Sequence, residues 1–122
     1  MAEACVFCRI GRGEIPSDIL YHDERAFVIR DINPRAPKHL LVLPSEHVTY
    51  LASLRLGSGQ AFEAATEPLL GHLMMVAGEI AKREGLTETG YRLVVNQGAD
   101  SGQEVPHMHV HVLGGRRLGA MG

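Results

Sequence analysis

His107-Met108-His109-Val110-His111-Val112-Leu113 is the stretch on which the reading of this chain turns. Polar and apolar residues alternate through it, which is the period-2 pattern of a strand with one buried face. As a strand it projects His107, His109 and His111 from one side, and Met108, Val110 and Val112 from the other into a core. A strand that only faced solvent would mix polar residue types. Three imidazoles together have few physical uses: binding a metal, binding an anion, or moving protons and groups. The outer pair is spread about 13 Å along a strand that rises ~3.3 Å per residue, which argues against one ion taking all three. At least one imidazole has another task.

Upstream of this strand, Gln97–Pro106 (QGADSGQEVP) is a polar loop, and Tyr91–Asn96 (YRLVVN) reads as a second strand. Ala26–Asp31 (AFVIRD) and His39–Pro44 (HLLVLP) read as two more. Asn33-Pro34 and Ala36-Pro37 put turn chemistry between them, predicting an antiparallel hairpin with a wide loop. Leu69, Leu73, Val76 and Ile80 recur at helical spacing within Glu63–Arg83, with Pro68 placing the true helix start near Thr66. Lys82 and Arg83 suit the C-terminal end of that helix, and Gly85 its cap. Strands around one main helix predict an α+β domain with an antiparallel sheet.

The chain has 122 residues, enough for one domain spanning 1–122 that buries a core without disulfides. Twelve Lys+Arg against fourteen Asp+Glu leave a formal charge of −2, which argues against a nucleic-acid footprint but admits a nucleotide monomer as ligand. No apolar stretch reaches the roughly 20 residues that span a bilayer, so no membrane partner is expected. The first residues show no apolar signal region, so a cytoplasmic location is expected. Cys5 and Cys8, spaced C-x-x-C, then point to metal or redox chemistry. A redox pair would follow a strand, and none precedes these; a metal half-site and two inert small hydrophobes remain open.

The His107–Leu113 run resembles the histidine-triad motif, and the likeness extends through Glu14-Ile15-Pro16, Asp31-Ile32-Asn33-Pro34, Ala36-Pro37-x-His39, Val94-Val95-Asn96-x-Gly98, Gly102-Gln103 and Gly114-Gly115-Arg116. Over nearly the full chain, the sequence is similar to the nucleotide-binding branch of the histidine triad superfamily. The resemblance implies an antiparallel meander sheet with one long helix and a short N-terminal helix, continued across a homodimer. It implies a purine nucleoside phosphoramidase that releases adenosine monophosphate or its guanosine counterpart, with no organic cofactor. His109 would be the nucleophile, forming a nucleotidyl-histidine intermediate. A free imidazole is largely neutral at pH 7 and needs no separate base, provided that its other nitrogen donates a hydrogen bond and the ring lies open to substrate.

By the same resemblance His111 holds a phosphate oxygen, His39 orients the triad, and Asp31 binds the ribose, with a turn-capping Asp as the competing reading. Ile32, Phe7, Ile10 and Ile15 line the sugar and base, although core packing explains all four nearly as well. Asn96 contacts the phosphate or leaving group, and the backbone at Gly102 and Gln103 approaches the phosphate. The resemblance also turns the cysteines into half of a structural zinc site completed by His47 and His107. Glu104 departs from the pattern, standing where the branch usually has a serine that would bond the leaving nitrogen. Residues 53–66 look longer than in relatives. Arg35 and Lys38 read as solvated loop charges, and His22 and His72 as surface residues. Two alternatives stay open: a dinucleotide polyphosphate hydrolase of the sister branch, and a zinc- or nucleotide-binding module with little turnover.

Overall fold

Alternating apolar residues build the sheet, and what covers each face decides which strands are buried on both. The computed structural model describes residues 5–53 and 66–121. Along it run α1 (Val6–Gly11), β1 (Ile19–His22), β2 (Ala26–Arg30), β3 (Lys38–Pro44), α2 (Thr66–Arg83), β4 (Tyr91–Val94) and β5 (Val110–Gly114). The strands form one antiparallel sheet in the order β1-β2-β3-β5-β4. The first three strands form a meander. The chain then crosses by α2 and lays β4 at the edge, so that β5 pairs with both β3 and β4.

One face carries Ala26, Val28, Leu40, Val42, Val110 and Val112, packed on Leu69, Leu73, Val76 and Ile80 of α2. The helical spacing seen in the sequence is that contact, and each fully buried side chain contributes roughly 1.5–3 kcal/mol. Phe27, Ile29, Leu41 and Leu43 occupy the other face under Phe7, Cys8 and Ile10 of α1. Covered on both sides, β2 and β3 read as nearly continuous apolar runs. Pro68 falls in the first turn of α2, where a missing N–H costs no helical bond. Of the Glu63–Arg83 helix expected from sequence, residues 63–65 lie outside the described residues, as do most of 53–66.

Three expectations are corrected. The final strand begins at Val110, not His107. Pairing with β3 would next match Met108 to Pro44, but Pro44 has no N–H and its carbonyl accepts from the His107 ring. Met108 N bonds Val48 O instead. The alternation of faces nonetheless holds from His107 to Val112, with Met108 in the α2-side core. Second, β1 is an additional, four-residue edge strand with an irregular register, half exposed. Third, Lys38 is no loop charge: it lies in β3 and, with Arg30, binds Glu84 just beyond α2. Burial works against the Glu84 carboxylate, but these two cations hold its pKa below the ordinary value.

Candidate active site and metal centre

The histidine face of the sheet ends in a cleft of about 380 Å³ between α1, the β2–β3 loop and the loop before β5. His109 forms its floor. The ring is only 8% exposed, more enclosed than the open ring expected from sequence, because Phe7 stands edge-on to it at 5.1 Å. His109 Nδ1 lies 2.7 Å from the carbonyl of His107. A carbonyl only accepts, so Nδ1 carries the proton and Nε2 the lone pair. Among the described residues nothing bonds Nε2, and no buried polar atom lacks a partner, so Nε2 reaches the cleft. The acceptor that sequence could not name is thus the backbone of the motif itself.

The same logic runs through the neighbouring rings. Backbone N–H of Arg35 donates to His39 Nδ1 (3.1 Å), leaving the His39 proton on Nε2. That atom stands 2.9 Å from His111 Nδ1 and 3.4 Å from Asp31 Oδ2. His111 therefore accepts at Nδ1 and carries its proton on Nε2. Asn96 Nδ2 lies 3.4 Å away, donor facing donor, so this N–H is available to a ligand oxygen. Burial, then the neighbouring rings His109 and His39, hold His111 at about 4. Burial likewise lowers His39, against the pull of Asp31. Both rings are neutral donors at neutral pH.

The structure brings Phe7, Ile10, Ile15, Asp31, Ile32, Asn96, Gly102, Glu104 and His111 to the cleft wall with His109. Phe7 and Ile10 serve both readings, since they also belong to the α1-side core. Asp31 does two things: Oδ1 caps the turn through Asn33 N (2.8 Å), while the residue borders the cleft. Ile32 is 90% exposed at the rim. Gln103 is not on the wall; its side chain braces the loop, accepting from Gly98 N and donating to Val105 O. Gly102 ends a short 3-10 turn at φ +86°, a left-handed conformation that glycine takes without strain. His39 sits behind His111, and not on this wall. Sequence reasoning missed Arg35, which lines the cleft and pairs with Glu104 at 3.2 Å. His22 is exposed as expected, but His72 is tied to Asp23 (2.6 Å) and Arg25 (3.1 Å) beside β1.

Beside the cleft, Cys5 and Cys8 at the start of α1 meet His47 after β3 and His107 before β5. Their four ligand atoms lie within 4.8 Å of one another. His107 Nε2–H donates to Pro44 O (2.9 Å), which leaves the Nδ1 lone pair 3.4 Å from both sulfurs. His47 Nδ1 is 3.2 Å from Cys8 Sγ, with Nε2 beside Thr49 Oγ1 at 3.1 Å. Ligand atoms on one tetrahedral ion stand about 3.3–3.8 Å apart, so the set fits a metal ion with all positions filled by protein. Both cysteines are free and buried. Burial first, then Cys5, pushes the Cys8 thiol up, and a cation is what would favour the thiolate there. Pro44 and Thr49, the supports of the two imidazoles, carried no signal in the sequence.

A run of alternating histidines leading into β5, with one ring among residues that could hold a metal and one open to a cleft, points to a class of domain. The HIT domain family model matches residues 12–118, and the chain belongs to that family. It is 44% identical over 121 residues to the purine nucleoside phosphoramidase of Escherichia coli K12, covering 99% of this chain and 95% of that one. A HIT family hydrolase from Clostridium thermocellum superposes with a TM-score of 0.86 at 39% identity, over 98% of this chain and 96% of that one. A histidine triad nucleotide-binding protein from Candida albicans gives a TM-score of 0.76 at 27% identity, over 98% and 87%.

Proposed function

We propose that this chain hydrolyses the P–N bond of purine nucleoside phosphoramidates through a nucleotidyl-His109 intermediate. The observation that carries the reading is the His109 ring, held by the His107 carbonyl with its Nε2 lone pair facing the cleft. The 44% identity to a phosphoramidase supports the substrate class. Asp31 takes the ribose hydroxyls, and the apolar wall of Phe7, Ile10, Ile15 and Ile32 takes the base.

Attack forms a bond from Nε2 to the α-phosphorus as the P–N bond breaks, and its electron pair leaves on the amine nitrogen, which takes a proton from solvent. The modified His109 ring becomes cationic, a form that the Nδ1–H bond to the His107 carbonyl stabilises. His111 Nε2–H donates to a phosphoryl oxygen where charge develops, and His39 fixes the tautomer that makes it a donor. Water then cleaves the intermediate to the nucleoside monophosphate.

Cys5, Cys8, His47 and His107 would hold zinc, which when bound supplies a crosslink between α1 and the triad segment. The working form is a cytoplasmic homodimer, for which the open edge at β4 offers a place to extend the sheet. Steady-state turnover decides the substrate class. Adenosine phosphoramidate is expected to be cleaved with a kcat/KM at least tenfold above that of a diadenosine polyphosphate. The reverse order assigns the chain to the dinucleotide hydrolases, and turnover of neither makes it a binding module.

A further inference from the structure

On the reading above the cleft takes an anionic phosphoryl group, yet the imidazoles around it bring no positive charge to meet one. His39 and His111 are neutral donors, and His109 presents a lone pair. Two guanidiniums line the wall, those of Arg30 and Arg35. Arg30 is committed elsewhere: Asp18 (3.3 Å) and Glu84 (3.1 Å) bind it, and neither acid lines the cleft. Arg35 is different, because its partner Glu104 stands on the wall itself.

That pairing is loose. Nη2 of Arg35 meets Oε1 of Glu104 at 3.2 Å, with the two side chains 68% and 77% exposed. An ion pair so open to water is weak and gives way to a competing anion. The backbone beneath it is fixed. Arg35 N–H donates to His39 Nδ1 (3.1 Å), and Arg35 O accepts from Arg116 Nη2 (3.0 Å). The side chain therefore swings from a rigid base beside the histidine rings. Its charge is felt there: behind burial, the largest cause, Arg35 helps to lower both His39 and His111. A guanidinium fits a phosphoryl group as well as a carboxylate, through two parallel N–H donors. Glu104 thus engages Arg35 much as a phosphoryl oxygen would.

We propose that Arg35 is a phosphoryl ligand of this cleft and that Glu104 is its built-in competitor, displaced when a nucleotide's phosphoryl oxygens take the guanidinium. Recognition of the charged group, as distinct from the nucleoside, then depends on Arg35. The proposal rests on the nucleotide reading of the cleft given above. The test measures Kd for adenosine 5′-monophosphate (AMP) and for adenosine by calorimetry in wild type, Arg35→Lys, Arg35→Gln and Glu104→Gln. The ratio of the two, taken within one protein, does not depend on how much of a variant is folded. At about 0.15 M salt, charges beyond roughly 8 Å are largely screened, so the ratio reports on close groups. Wild type is expected to bind AMP at least about tenfold more tightly than adenosine. Arg35→Gln should cut that preference about tenfold, Arg35→Lys should keep part of it, and Glu104→Gln should raise it about threefold. A merely structural ion pair is broken equally by either neutral substitution, so both would move the ratio the same way or not at all. That result overturns the proposal, as does a wild type with no preference for AMP. Turnover of adenosine phosphoramidate by wild type is followed alongside. Turnover with a ratio indifferent to Arg35 sinks the phosphoryl ligand alone. An Arg35-dependent ratio without turnover upholds the ligand and sinks the hydrolase reading.

Discussion

Each imidazole of the site carries its proton on the nitrogen that its hydrogen-bond partner dictates. His109 is protonated at Nδ1 by the carbonyl it faces; His107 and His39 at Nε2; and His111 at Nε2 because His39 occupies its other nitrogen. The relay works only while His111 is neutral, and burial keeps it so to about 4. A histidine whose folded pKa is depressed binds fewer protons than in the unfolded chain between about 4 and 6.5. Stability from this residue therefore rises with pH through that window and is flat above it. The span corresponds to on the order of 3 kcal/mol at most. Thermal melts of wild type from pH 4 to 8 should show that slope, and His111→Asn should show a shallower one; an unchanged slope would contradict the assignment. At this scale the sequence is legible where chemistry has a spacing. His107, His109 and His111 show their shared face by period 2 alone, whereas the acceptors that set their tautomers are backbone carbonyls, which no side-chain pattern announces.

At the scale of elements, α1 is a six-residue helix too short to persist without tertiary support. Its core contacts through Phe7 and Ile10, and the Cys5–Cys8 link to His47 and His107, hold it over the sheet. With metal bound, the link ties the wall of the cleft to the segment that positions His109. Cys8→Ser should lose one equivalent of zinc per chain and lower Tm by about 10 °C or more. Elemental analysis and melts with and without chelator check this, and a metal-free wild type of equal stability would contradict it. Strands β2, β3 and β4 were legible to within two residues because apolar runs and Pro or Gly punctuation bound them. β1 was not: an edge strand of four half-exposed residues carries too little patterning. The start of β5 was misplaced for a different reason. Alternation reports which face a residue occupies, whereas strand limits follow the hydrogen-bond ladder, and Pro44 ends that ladder early. Arg35 and Glu104 sit on separate loops, so their pairing depends on a fold that local sequence does not encode.

Across the whole molecule the sheet separates two tasks. Its α2 face is a dry core, and its histidine face holds both the metal set and the cleft. Damage to the core should then lower stability without altering the chemistry. Leu73 is 1% exposed in α2, and Leu73→Ala should cost about 2–5 kcal/mol in denaturant unfolding. Its kcat/KM per folded molecule should stay within about twofold of wild type; a loss beyond tenfold would mean that α2 shapes the site. The account as a whole depends on covalent capture of substrate by the central ring. Acid quenching of the enzyme during turnover of adenosine phosphoramidate, followed by peptide mass spectrometry, reads that directly. The expected result is a nucleoside monophosphate adduct on His109 in wild type and none in His109→Ala, whose turnover should fall by at least about a thousandfold. Full turnover by His109→Ala, or an adduct on another residue, would contradict the account.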